Sequence, residues 1–234
     1  MAAALGVKFL DQAGNSVSLN GEGLARLRRI DVSEKDRRID HCEILAACDV
    51  DNPLYGEYGA AYVFAPQKGA DQAMVEDLDR GLQNYAAVLQ KDLGLNVQAI
   101  AGAGAAGGLG AGLVAFTPAQ LRPGIEIILN AVKFSEIISD ADLVITGEGK
   151  IDGQSLRGKV PIGIAERAKN SGVPVIAVVG DVGDDLEVIY QRGIAAVFST
   201  NQVAVPFSEA RLRAKEDLVA TSESIARLLK IAGW

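Results

Sequence analysis

Between Gln72 and Leu93 the apolar positions Met74, Leu78, Leu82, Tyr85, Leu89 and Leu93 recur at steps of three and four. That spacing puts one stripe on one face of a helix. Asp71 stands where an N-cap belongs and Gly94 where a left-handed C-cap belongs, so the pattern predicts a helix over 72–93 with its stripe turned to a core. From residue 139 onward the pattern changes. The β-branched runs ADLVIT (Ala141 to Thr146), VPVIAVVG (Val173 to Gly180) and AAVFST (Ala195 to Thr200) alternate with helical stretches around Val160 to Asn170 and Leu186 to Arg192 and a terminal helix ending near Leu229. This alternation predicts βαβ units and a parallel sheet covered on both faces. Ahead of residue 139 the elements are less regular. VKFLD at Val7 reads as a strand after a helix end and a glycine, CEILAACD from Cys42 as a buried strand, AYVFAP from Ala61 as another, and NVQAI as a candidate strand. PGIEIILNAVKFSEII reads as a helix with Ile127, Ala131, Phe134 and Ile138 on one side. The α/β pattern therefore divides into two parts, 1–138 and 139–234.

Composition narrows the function classes. The 234 residues are 49% hydrophobic and 23% charged, with a net charge of −7. No Lys/Arg cluster is interleaved with aromatics, which argues against nucleic acid and against an anionic membrane surface as partners. An anionic ligand must then be held locally. Cys42 and Cys48, beside the single His41, make neither a C-x-x-C pair nor a Cys/His quartet, which argues against structural zinc and a disulfide framework. Met1 to Leu10 lacks the basic start and long apolar core of a signal peptide, so the expected location is cytoplasmic.

Parallel sheets hold ligands at the carboxyl ends of their strands. Read from the runs above, the strand ends are Thr146-Gly147-Glu148-Gly149, Gly180 to Asp185 and Ser199 to Asn201, all small, polar or acidic. Asp49, Asp51 and Asn52 follow the Cys42 strand, and Gln67, Lys68 and Gly69 the Ala61 strand. Carboxylates there suit Mg²⁺ or the proton of a substrate hydroxyl, and a lysine suits phosphoryl charge. The plainer reading of D-x-D-N-P is a turn. GQSLRGKV, Gly153 to Val160, approaches a P-loop, but Val160 stands where the Mg²⁺-binding hydroxyl belongs. Arg157 and Lys159 remain available for an anion near the next helix start.

AGAGAAGGLGAG, Ala101 to Gly112, contains G-x-G-x-x-G at Gly102, Gly104 and Gly107. A dinucleotide fingerprint needs a preceding strand and an acid about twenty residues on. Glu126 is the nearest acid, but it falls at a helix start. What remains is a glycine-rich turn leading into a small-residue helix, able to aim backbone N–H groups at an anion. Close packing through Gly107, Gly108, Gly110 and Gly112 is equally open.

Taken in order, CDVDNPL (Cys48 to Leu54), PQKGA (Pro66 to Ala70), GAGAAGGLGAG (Gly102 to Gly112), LRPGIE (Leu121 to Glu126) and ADLVITGEGKIDGQSLRGK (Ala141 to Lys159) resemble the bacterial glycerate kinase family across nearly the whole chain. The resemblance implies phosphorylation of glycerate by ATP with Mg²⁺, generally at the 2-hydroxyl. It also implies two α/β domains, one restriction-endonuclease-like, here 1–138, and one flavodoxin-like, here 139–234, each partial. Family members normally begin with a DSFKGS-like motif and a later GGSATNDGG-like motif, neither of which is in this chain. The expectation is therefore a carboxy-terminal portion that associates with itself or with a complementary amino-terminal segment.

The expected mechanism is in-line phosphoryl transfer, with Asp49 or Asp152 taking the hydroxyl proton or holding Mg²⁺ and Lys68 and Lys159 offsetting phosphate charge. The expected substrate and phosphate contacts are Asn52, Gly102, Gly104, Ala105, Ala106, Gly107, Gly108, Thr146, Gly147, Glu148, Gly149, Ser155 and Lys159. The competing readings are a non-catalytic or split fragment of such a kinase and, less favoured, an NAD(P)-dependent dehydrogenase.

Overall fold

The computed structural model, which describes residues 1–153 and 160–234, opens on a 3-10 turn at Ala2–Leu5 that Gly6 closes in the left-handed region at φ 90°. Strand β1 (Lys8–Leu10) follows at once, as the apolar start suggested. Helix α1 (Gly21–Arg26) is capped by Asn20, whose side chain accepts from the Gly23 N–H. It leads to β2 (Arg29–Asp31), antiparallel to β1 with Phe9 opposite Ile30. Strand β3 (Ile44–Ala47) is half exposed, not buried, because its residues alternate in and out with Leu45 outward at 47% exposure.

The run from Ala61 is not a strand. It is helix α2 (Ala60–Phe64), followed by a 3-10 turn at Pro66–Lys68. A short apolar run has no period long enough to tell strand from helix. Here Ala60 and Ala61 are buried and Tyr62 and Val63 are exposed, so burial follows one side of a turn. Helix α3 (Gln72–Leu93) has the expected ends: the Asp71 side chain accepts from the Met74 N–H, and Gly94 ends it at φ 70°. Leu82, Tyr85 and Leu89 on its stripe are buried, while Met74 at its outer end is exposed. NVQAI holds a 3-10 turn, Val97–Ala99, in place of the candidate strand. Helix α4 (Ala105–Phe116) then runs to β4 (Ala119–Arg122), which pairs parallel with β3. Leu27, Leu54, Leu89 and Phe116 form the centre of this core, and Phe9 meets Phe116 edge to face at 5.5 Å.

Contacts divide the chain into Met1–Gly124 and Ile125–Trp234, ahead of the change in sequence pattern at residue 139. The reason lies in the next two helices. The segment predicted as one helix from Pro123 is two, α5 (Gly124–Ala131) and α6 (Phe134–Ile137), separated where Lys133 takes φ 55°. Leu129 and Ile138 are buried and Ala131 is exposed, since the break turns the stripe. Ile138 and Phe134 pack into the second unit's core, which places this helical segment with the sheet that follows it.

The sheet itself is β5 (Val144–Ile151), then helix α7 (Val160–Asn170), β6 (Val175–Val182), helix α8 (Glu187–Gln191) and β7 (Ile194–Ser199). The strands are parallel in the order β5-β6-β7, with Val144 opposite Val175 and Val179 opposite Ser199. Ile162, Ala165 and Ala168 of α7 are buried with Val175, Ala177 and Val179. Coverage of both faces is incomplete among the described residues, because Ile145 of β5 is 58% exposed. Helices α9 (Phe207–Ala210) and α10 (Ala214–Ile231) end the chain, with Asp217, Thr221 and Ile225 on the buried side of α10. No helix among the described residues is long and apolar enough to cross a membrane.

Candidate functional site

The predicted residues gather into two groups, one in each unit. In the first, the loop leaving β3 is tied to the glycine run. The Gly104 N–H donates to the Asn52 carbonyl at 3.0 Å, and Cys48 Sγ lies against the Gly102 and Val50 carbonyls. Asn52 turns its amide inward on its own loop, donating to the Tyr58 carbonyl at 2.9 Å. Gln98 grips Tyr55 from both sides, donating to its carbonyl and accepting from its N–H. Asp79, buried on α3, accepts from the Gly56 N–H at 2.8 Å and from Gln83 at 2.7 Å. The polar groups of this loop are thus held as a single turn structure, and nothing in the sequence pattern marked Asp79 or Gln98 as its anchors. Asp49 also carries a structural bond: its Oδ1 accepts from the Gly124 N–H at 2.8 Å, at the start of α5.

The glycine run resolves residue by residue. A Cβ on Gly104 would collide with the Pro53 carbonyl oxygen, and one on Gly110 with the Gly102 carbonyl oxygen. On Gly102 it would sit 2.6 Å from Cys48 Sγ, and on Gly108 2.9 Å from Leu54 Cδ1. These glycines are buried and serve close approach. Ala106 and Gly107 instead face solvent, and Ala106, Gly107 and Gly108 stand consecutively at φ 50°, 72° and 96°. A left-handed alanine is strained by its Cβ, so a surface turn is held in an unusual form where backbone, not side chain, is presented. The run follows a 3-10 turn, not a strand, so the dinucleotide fingerprint lacks its required setting. Lys68, exposed at the end of its own 3-10 turn, lines a cavity of about 180 Å³ together with Gly107, Phe64 and Leu82. The structure thereby brings Lys68 to the outward face of the glycine turn, across sequence positions that motif reading could not connect.

The second group needs a correction. Thr146, Gly147, Glu148 and Gly149 do not form a loop after β5; they lie within it, in register with Ala177, Val178 and Val179 of β6 for the first three. Thr146 is buried. The extension is possible because glycine and threonine need no apolar neighbour to stay in a ladder, so the polar stretch was mistaken for an end. Likewise β6 continues through Gly180 and Asp181 to Val182. The actual carboxyl ends are therefore Lys150 to Gly153 and Val182 to Asp185. There Lys150, Asp152, Gly153, Gly183, Asp184 and Asp185 line a cavity of about 610 Å³. Lys150 Nζ stands 3.8 Å from Asp152 and 3.9 Å from Asp181. Two backbone bonds, Gly153 N–H to the Asp184 carbonyl and Gly183 N–H to the Ile151 carbonyl, stitch the two strand ends together. The sequence placed Asp184 and Asp185 at an acidic strand end suited to a ligand without giving either an individual role, and it gave Lys150 none. Ser155, Arg157 and Lys159 lie outside the described residues.

As to a metal, no grouping of three or more His, Cys, Asp or Glu side chains is arranged for one among the described residues. Mg²⁺ held with a nucleotide needs only one or two protein carboxylates, because phosphate and water oxygens complete its shell. Asp152 with Asp184 or Asp185 around the strand-end cavity supplies oxygen donors of that kind.

The model of the family described as "Glycerate kinase family" matches residues 1–230. The chain is 47% identical over 226 residues to "Glycerate kinase" of Halalkalibacterium halodurans, covering 97% of this chain and 60% of that protein. It is 47% identical over 231 residues to "Glycerate 2-kinase" of Escherichia coli K12, covering 99% of this chain and 61% of that one. A solved structure from Salmonella typhimurium LT2, named provisionally as glycerate kinase 2, matches all of this chain and 60% of its own at a TM-score of 0.80 and 44% identity. The chain thus spans about 60% of the length of these relatives.

Proposed function

Since the chain belongs to the glycerate kinase family, we propose that the protein acts in the ATP- and Mg²⁺-dependent phosphorylation of glycerate at its 2-hydroxyl. The observation that carries this reading is the family match over residues 1–230. The geometry supports the roles. At the ends of β5 and β6, where parallel sheets take phosphate-bearing ligands, Asp152 with Asp184 or Asp185 would hold the metal, and Lys150 would lie against phosphate oxygens. Bound Mg²⁺ would offset charge on the transferring phosphoryl group. In the first unit, the exposed backbone at Ala106 and Gly107 beside Lys68 suits a carboxylate or phosphate, since amide N–H groups and an ammonium both favour an anion. Asn52 and Asp49 act chiefly by shaping the loop that supports this turn.

The test is direct. The chain is incubated with Mg-ATP and glycerate, ADP release is followed, and the product is identified by ³¹P NMR as the 2-phosphate. Asp152→Asn is expected to lower turnover by about a hundredfold or more, the usual scale for losing a positioned acid–base or charge-holding group. Lys68→Ala is expected to raise KM for glycerate or ATP with a smaller effect on turnover. Near-normal kinetics in both variants would remove these assignments.

A second reading rests on the exposed Ile145 of the sheet: a chain that binds glycerate but transfers phosphate only in association, with a complementary segment or with itself. Glycerate binding without ADP release by this chain alone would select it.

A further inference from the structure

The anion site of the first unit draws on two segments, the turn at Ala106 and Gly107 and the 3-10 turn that ends at Lys68, and one loop joins them. On one side, residues 52–54 occupy the spaces that the glycines leave. The Gly104 N–H donates to the Asn52 carbonyl, the Pro53 carbonyl lies where a Gly104 Cβ would stand, and fully buried Leu54 comes within 2.9 Å of the place of a Gly108 Cβ. On the other side, the Ala60 N–H donates to the Leu54 carbonyl at 3.2 Å, which sets the start of α2 and so the path to Lys68. Between these contacts the loop turns at Gly56, where φ is 94°. Two side chains fix that turn. Gln98 brackets Tyr55, and Asp79, 4% exposed on α3, accepts from the Gly56 N–H at 2.8 Å through Oδ1 and from Gln83 at 2.7 Å through Oδ2. Alanine would suit a helix interior better than Asp79 does, and a buried acid gives up hydration that only its hydrogen bonds return. What Asp79 holds explains its presence; the helix it belongs to does not.

We infer that Asp79 is a positioning residue for the anion site: by holding Gly56 it keeps the loop seated in the glycine run, the Ala106 and Gly107 backbone left-handed, and Lys68 beside it. The inference rests on the reading of that turn as an anion site. Groups that contact a ligand keep their geometry only when the shell behind them is itself locked. Without Asp79 the Gly56 N–H loses its acceptor, and the loop is released at the point farthest from the glycines it supports.

The test is NMR of the whole isotope-labelled chain, first without ligand and then titrated with inorganic phosphate. The HN–Hα coupling and Cα shift of Ala106 report its φ, and the Ala106 and Gly107 amides report phosphate. Asp79→Ala is expected to move Ala106 off its left-handed values and to weaken phosphate about tenfold, the scale of one lost hydrogen bond, with the signals of β5, β6 and β7 in place. Asp79→Asn, which keeps an oxygen for the Gly56 N–H, is expected to restore both. Lys68→Ala is expected to weaken phosphate and leave the Ala106 coupling unchanged, which separates the ligand from the geometry that receives it. An unchanged Ala106 coupling in Asp79→Ala overturns the inference, as does Asp79→Asn falling as far as Asp79→Ala. Absence of phosphate shifts in the unsubstituted chain removes the anion site and this role with it, whereas phosphate bound equally by Asp79→Ala removes only the role. Should Asp79→Ala fail to fold, hydrogen exchange in the unsubstituted chain decides: the Gly56 amide is expected to be protected, and exchange at the rate of an unbonded amide overturns the inference.

Discussion

Gly104 and Gly107 lie three residues apart in one motif and are glycine for different reasons. Gly104 has no space, since a methyl would meet the Pro53 carbonyl; Gly107 has open space around it but stands at φ 72°. Gly107→Ala should therefore cost only the conformational penalty of about 1–2 kcal/mol. Gly104→Ala should cost more, about 3 kcal/mol, because the loop at Asn52 and Pro53 must move with it. Urea unfolding of the two variants checks this, and equal losses would refute the division. The G-x-G-x-x-G spelling was plain in the sequence, but this difference was not: a letter G records the absence of a side chain and not what would have struck it. The same holds for Asp79, an ordinary acidic position in a helical pattern whose importance comes from the Gly56 N–H it meets across the fold.

Elements with local signals were legible. The bounds of α3 follow from its own cap residues and a stripe long enough to define its period. Helix α2 was misread as a strand because five residues define no period, and only the burial of Ala60 and Ala61 against neighbouring helices decides it. Strands β5 and β6 were recognised but cut short, since their polar ends are held by pairing with each other, a partner that neither segment reveals alone. Local charge also leaves a mark on a short element. Asp36 caps the 3-10 turn Arg37–His41, and hydrogen bonds from the Arg38 side chain, then from its backbone N–H, hold the carboxyl at about 2 against an ordinary 3.8. A carboxyl lowered on folding stabilises fully above its unfolded value and loses that contribution as pH falls through the folded one. Asp36→Asn should therefore lower stability slightly near neutrality, flatten the profile between about pH 4 and pH 2, and leave stability unchanged below that range. The effect should be small, because the pair is exposed and screened. Chemical denaturation across that range, with no difference in slope between the two proteins, would count against the cap.

At the scale of the whole molecule, each unit has its own core, one around Leu54, Leu89 and Phe116 and one around Ile151, Val175 and Val179. Large apolar side chains remain outside both. Ile145 on the sheet, Phe207, Leu212 and Ile231 are all more than half exposed. Exposed groups of this size favour association. Sedimentation velocity should accordingly show a weight-average mass that rises with concentration, and Ile145→Lys should reduce it; a monomer at all concentrations would exclude self-association through this face. What the sequence determined by itself was what neighbours along the chain can decide: the α/β class, the capped helix α3, the alternation of strand and helix after residue 139, and family membership through ordered motifs. What only the tertiary structure decided was what distant segments impose on one another. Pairing between β5 and β6 moved the end of β5 from Thr146 to Ile151. Packing against the β3 loop sorted the glycines of α4 into those that fit and those that turn. Burial of Ile138 placed the α5–α6 segment with the second core. Backbone pairing and side-chain exclusion act through space, so their outcome depends on partners that no local window contains.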